Sequence, residues 1–128
     1  MSHRAFINAF YENAINGLDK TRETLSPYVS DEALFQHVEI FEKGFPRYSI
    51  QIDDYVEQDD KVVLRARFQG THTGDFNGIP PTGRTVEVPF LILYRIEDGK
   101  IAQHWLEANH LTLLAQLGVM EPEAQPNV

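Results

Sequence analysis

The chain has 128 residues, 42% of them hydrophobic, with 11 Lys+Arg against 19 Asp+Glu and no cysteine. That length predicts one domain over residues 1–120 with a sizeable core, followed by a polar tail over residues 121–128. Lack of cysteine excludes disulfides, thiol nucleophiles and Cys-based metal sites and fits a cytoplasmic setting. The net charge of −8 gives no electrostatic grip on nucleic acid or an anionic membrane.

No apolar run approaches the roughly 20 residues that span a bilayer. The opening MSHRAFINAFYENA has neither a continuous apolar stretch nor a small-residue cleavage site, so a signal peptide is not expected. From His3, apolar residues at Phe6, Ile7, Phe10, Ala14 and Leu18 mark one face of a helix, with Ser2 as its expected N-cap and Asn16-Gly17 as its end. A shorter helix is predicted over Asp19 to Leu25, stopped by Ser26-Pro27. Ser30, followed by Asp31 and Glu32, starts a third helix whose buried stripe is Leu34, Phe35, Val38 and Phe41.

After Pro46 the period changes to two. Tyr48, Ile50 and Ile52 predict a strand to about Val56, and Val62, Leu64, Ala66 and Phe68 share one face of the next. The Gly- and Pro-rich segment Gly70 to Arg84 reads as a long hairpin loop. A third strand is expected over Thr85 to Ile96 and a fourth from Ile101 to about Asn109. A final helix through Leu111, Leu113, Leu114 and Leu117 is capped by Gly118. Helices segregated from an antiparallel meander indicate an α+β fold, a curved sheet wrapped around helices as a cone with an internal pocket.

The run GTHTGDFNGIPPTGRTVEVPFLILYRIEDGKIAQHW, Gly70 to Trp105, followed by LLAQLG, Leu113 to Gly118, resembles the SnoaL-like polyketide cyclases of the nuclear transport factor 2-like superfamily. Phe10-Tyr11-Glu12 and Phe45-Pro46 match the same pattern. The resemblance implies a cone-shaped α+β barrel and intramolecular aldol closure: a base removes a proton alpha to a carbonyl, and a donor steadies the enolate. Such a reaction requires no metal or organic cofactor.

On the last strand His104 shares parity with Ala102, Leu106 and Ala108, an apolar set that suits the inner face. The resemblance makes His104 and His72 the polar centre and Tyr11 a donor to a substrate oxygen. Phe35, Phe41, Phe90, Tyr94 and Trp105 supply aromatic surface suited to a flat or apolar ligand. The family pattern H-W-D-x-x-D places its two acids at Leu106 and Asn109, pocket positions that cannot ionise here. The segment Tyr28-Val29-Ser30 also runs almost directly into the third helix, shortening one expected wall. Two readings follow: a cofactor-free acid–base enzyme on a small carbonyl-bearing apolar molecule, or a ligand-binding or dimerisation module that kept the scaffold. Arg65, Arg67 and Glu87 mark the sheet's second face, through which a homodimer is expected.

Overall fold

A computed structural model describes residues 2–17 and 19–119; Leu18 and the tail assigned to 121–128 lie outside them. The order is α1 (Arg4–Phe10), a π-helical turn (Tyr11–Ile15), α2 (Arg22–Leu25), α3 (Glu32–Gly44), β1 (Ser49–Gln58), β2 (Lys61–Thr71), β3 (Thr85–Glu97), β4 (Lys100–Ala108) and α4 (His110–Leu117). The four strands form one antiparallel sheet in sequence order. The sheet curves around the helices, but β1 and β4 are not paired, so the cone stays open. Ser30 N donates to Ile101 O at 2.9 Å and Ile101 N to Tyr28 O at 2.8 Å, covering one end of the β4 edge.

The period-two reading places Val62, Leu64, Ala66 and Phe68 of β2 inside with Val86, Val88, Ile92 and Tyr94 of β3, all buried. Ile7, Phe10, Tyr11, Ala14 and Ile15 form the buried face of the first helical segment. The helix widens to i→i+5 bonding where Asn16 N donates to Tyr11 O at 2.7 Å. Such π-turns disturb the 3.6-residue screw and recur at functional sites.

Two caps differ from expectation by one residue. His3 occupies the N-cap of α1 without a side-chain bond, while Ser2 Oγ accepts from Arg4 N at 3.1 Å. On α3 the cap is Asp31, whose carboxylate reaches two amides, a geometry open to the residue immediately before the first helical turn. In β1 the register slips between Ile52 and Asp54. This bulge turns Tyr55 inward and leaves Val56 62% exposed, which strict alternation from Tyr48 does not foresee.

The loop between β2 and β3 folds back over the end of α3. Gly74 N donates to Gly44 O at 3.2 Å, and a Cβ on Gly74 would stand 2.0 Å from Lys43 O. Phe76 is thereby buried against Phe41 and Phe45. No helix among the described residues is long and apolar enough to cross a membrane.

Candidate functional site

Between the helices and the concave face of the sheet lies a cavity of about 70 Å³, room for several waters or a small ring. Its lining contains no carboxylate, lysine or arginine. The polar groups are Tyr11, His37, Tyr48, Tyr94, Asn109 and His110, set among Ile, Leu, Val and Phe side chains. Such a wall suits a neutral, largely apolar ligand with few oxygen atoms to satisfy.

Tyr11 enters from the π-turn and Tyr94 from β3, and their hydroxyls meet at 2.6 Å. Burial raises the pKa of both phenols far above the ordinary tyrosine range, so both stay protonated. One hydroxyl donates to the other, which leaves one O–H of the pair free to donate elsewhere. Tyr94 is the cross-strand partner of His104, which puts the phenol pair and an imidazole side by side on the inner face.

His104 Nδ1 stands 2.7 Å from Asp31 Oδ2, with both side chains nearly buried, at 12% and 11% exposure. The other carboxylate oxygen of Asp31, Oδ1, accepts from Ala33 N at 3.0 Å and Leu34 N at 3.3 Å. One carboxylate therefore starts α3 and holds an imidazole. With Nδ1–H donated to Asp31, the lone pair of neutral His104 falls on Nε2. His104 itself does not line the cavity, whereas His37 of α3 does, with the two ring centroids 6.0 Å apart. Burial pushes the His37 imidazole down to about 4, and the nearby charges of His104 and His110 add to that fall. His37 is neutral near pH 7, able to accept a proton on one nitrogen and donate from the other.

Of the residues singled out from the sequence, Tyr11, Phe41, Phe90, Tyr94, Leu106 and Asn109 line the cavity together. Asn109 is in addition the N-cap of α4, accepting from Thr112 N at 3.0 Å. Phe35 and Trp105 do not line it: the Phe35 ring sits in the core beneath the Arg22 guanidinium, 4.5 Å away, and Trp105, opposite in parity to His104 and Leu106, is exposed on the sheet's outer face. His72 lies apart from the cavity, fully buried, with Nδ1 accepting from Thr82 N at 3.2 Å and its ring 5.2 Å from Phe45. There it locks the β2–β3 loop. Nε2 of His72 finds no hydrogen-bond partner among the described residues.

Four residues of the site were not singled out for it: Asp31, His37, Tyr48 and His110. His37 carried a signal, because Leu34, His37, Val38 and Phe41 follow the spacing of one helical face. Asp31 carried only a capping signal, since its pairing spans 73 positions of sequence. The carboxylate beside His104 comes from the start of α3, in the opposite layer, and not from position 106 or 109. Among the described residues no group of three His, Cys, Asp or Glu is placed to hold a metal.

A family model described as SnoaL-like polyketide cyclase matches residues 7–117. No curated protein matches the chain. Among solved structures, AclR of Streptomyces galilaeus, described as a candidate hydroxylase, superposes with a TM-score of 0.77 at 26% identity, covering 94% of this chain and 98% of its own. IdmH of Streptomyces antibioticus, described as a candidate polyketide cyclase, gives 0.75 at 30% identity over 93% of this chain and all of its own. TsrD of Streptomyces laurentii gives 0.68 at 31% identity, covering 91% and 92%. With the matched span running from α1 to the end of α4, the chain belongs to the SnoaL-like polyketide cyclase family.

Proposed function

We propose that the protein abstracts a proton alpha to a carbonyl in a small, neutral, apolar molecule, by acid–base chemistry of its own side chains. The observation that carries this reading is a buried phenol pair, Tyr11–Tyr94, and the His37 imidazole on the wall of one apolar cavity, with the Asp31-held His104 next to His37. The free O–H of the pair donates to the substrate carbonyl and stabilises the enolate oxygen as charge develops there. His37 takes the α-proton on one nitrogen while passing its other N–H to Nε2 of His104. Charge then rests on the His104 imidazolium, paired with Asp31. The 6.0 Å between rings must shorten for that transfer, as catalytic hydrogen bonds commonly do when a ligand binds. In a polyketide-type substrate the enolate formed is the nucleophile of an aldol closure. That fits the cyclase family and the description of IdmH.

Acetophenone tests the chemistry without knowledge of the natural substrate. In D2O the protein should speed deuterium exchange into its methyl group, and His104→Ala and Tyr11→Phe should each lower that rate by about 10²-fold. Acetophenone bound in the cavity with no exchange above buffer would overturn the enzyme reading and leave a ligand-binding module, which the uncharged Leu106 and Asn109 favour.

The same reading includes a homodimer. On the sheet's outer face Val56, Val63, Leu93 and Trp105 fall in register across all four strands. Val56 and Trp105 are exposed. The adjacent row, Asp54, Arg65, Leu91 and Glu107, alternates in charge around a further exposed leucine. An apolar stripe beside a row of both signs is self-complementary under a two-fold axis, so the occupant is a second copy of this chain.

A further inference from the structure

We propose that Tyr48 is a second phenolic donor to the ligand oxygen, supported from behind by the buried ammonium of Lys20. The proposal rests on the reading of the cavity as a site for a carbonyl-bearing molecule. Tyr48 lines the cavity, is 4% exposed, and its hydroxyl makes no side-chain hydrogen bond among the described residues. A buried phenol against an apolar wall calls for an acceptor. Tyr11 and Tyr94 engage one of their two O–H groups with each other. Tyr48 faces the same cavity as that pair, so all three phenols border the space a ligand would fill.

A count of donors gives the ligand chemistry. The Tyr11–Tyr94 pair offers one free O–H and Tyr48 offers another. Two donors match the two lone pairs of a single carbonyl or enolate oxygen. Because the lining holds no cation, a carboxylate ligand is disfavoured against a ketone or ester.

Lys20 gives Tyr48 a role beyond packing. Its side chain is 1% exposed, with Nζ 4.2 Å from the Tyr48 ring centroid and 3.3 Å from Glu42 Oε1. Burial lowers the Lys20 pKa, and the Glu42 carboxylate opposes that fall. The contact with Glu42 lacks hydrogen-bond geometry on either atom. A buried cation imperfectly paired and laid against a phenol draws electron density from the ring and strengthens its O–H as a donor.

The test uses the intact protein with acetophenone and with ethylbenzene, which has similar shape and no oxygen. The carbonyl stretch of bound ¹³C-acetophenone should lie below its value in hexane. Tyr48→Phe should raise that frequency and weaken acetophenone binding roughly five- to tenfold, leaving ethylbenzene binding unchanged. Lys20→Met, which keeps the phenol, should raise the frequency by a smaller step and serves if the Tyr48 variant does not fold. An unmoved carbonyl frequency in both folded variants, with Tyr11→Phe still shifting it, would overturn the Tyr48 assignment alone. Failure of acetophenone to bind the wild-type protein would overturn the reading of the cavity, and this assignment with it.

Discussion

Asp31 does two things with one carboxylate, and its substitutions separate them. Asparagine caps helices about as well as aspartate, whereas alanine costs about 1 kcal/mol at such a position. Asp31→Ala also leaves the buried Nδ1–H of His104 unpaired, at about 1–3 kcal/mol. Urea denaturation should therefore show a loss of about 2–4 kcal/mol for Asp31→Ala and a smaller loss for Asp31→Asn. Both variants should slow acetophenone exchange, and ¹⁵N NMR should show the Nδ1–H tautomer of His104 dominant only in the wild type. Equal stability of the two variants would remove the capping role. His37 sets a pH dependence. Its pKa falls from an unfolded value near 6.5 to about 4 in the fold, so the unfolded chain binds the proton more readily. Its contribution is absent as a penalty above pH 6.5, and stability falls as pH drops from there to about 4, by about 3 kcal/mol at most. His37→Gln should flatten that part of the stability curve relative to wild type; parallel curves would refute the assignment. Parity along β4 placed His104 and Leu106 inward from the sequence alone, because every second residue of a strand shares a face. The partner of His104 was not legible, because a capping aspartate shows nothing in its own neighbourhood of the strand that will lie beside it.

At the scale of elements, the meander was legible throughout: four strands, their order and their tight turns follow from alternation and from the Asp59 and Gly99 positions, both at positive φ. The bulge at Asp53 was not, since nothing in SIQIDDYVEQ distinguishes a slipped register from a regular one. The β2–β3 loop was predicted as a connection, and its docking onto α3 emerges only from the fold. That docking depends on Gly74, where backbone rather than a flexible side chain fills the space a Cβ would need. Gly74→Ala should lift the loop from Gly44, expose Phe76 and cost at least about 2 kcal/mol. Amide exchange should then accelerate at His72 and Gly83, which close the loop's base through His72 N to Arg84 O and Gly83 N to His72 O, both 2.8 Å. Unchanged exchange there would mean the loop holds itself without α3.

At the scale of the molecule, the outer stripe of Val56, Val63, Leu93 and Trp105 predicts its own assembly. Light scattering at micromolar concentration should give twice the chain mass of 14.7 kDa, and Trp105→Glu, a surface change for the monomer, should return it to one. A wild-type monomer under those conditions would refute the dimer. The cavity has a different kind of dependence on the whole. Its wall draws on the π-turn, α3, all four strands and α4, so no fragment of the chain contains it. A ligand held there has nothing to bind once any one layer detaches. Its binding free energy is then added to the cooperative opening of the entire domain rather than to a local fluctuation, growing as RT ln(1 + [L]/Kd). Occupancy should slow hydrogen exchange alike in α1 and β4, segments that donate no hydrogen bond to the ligand.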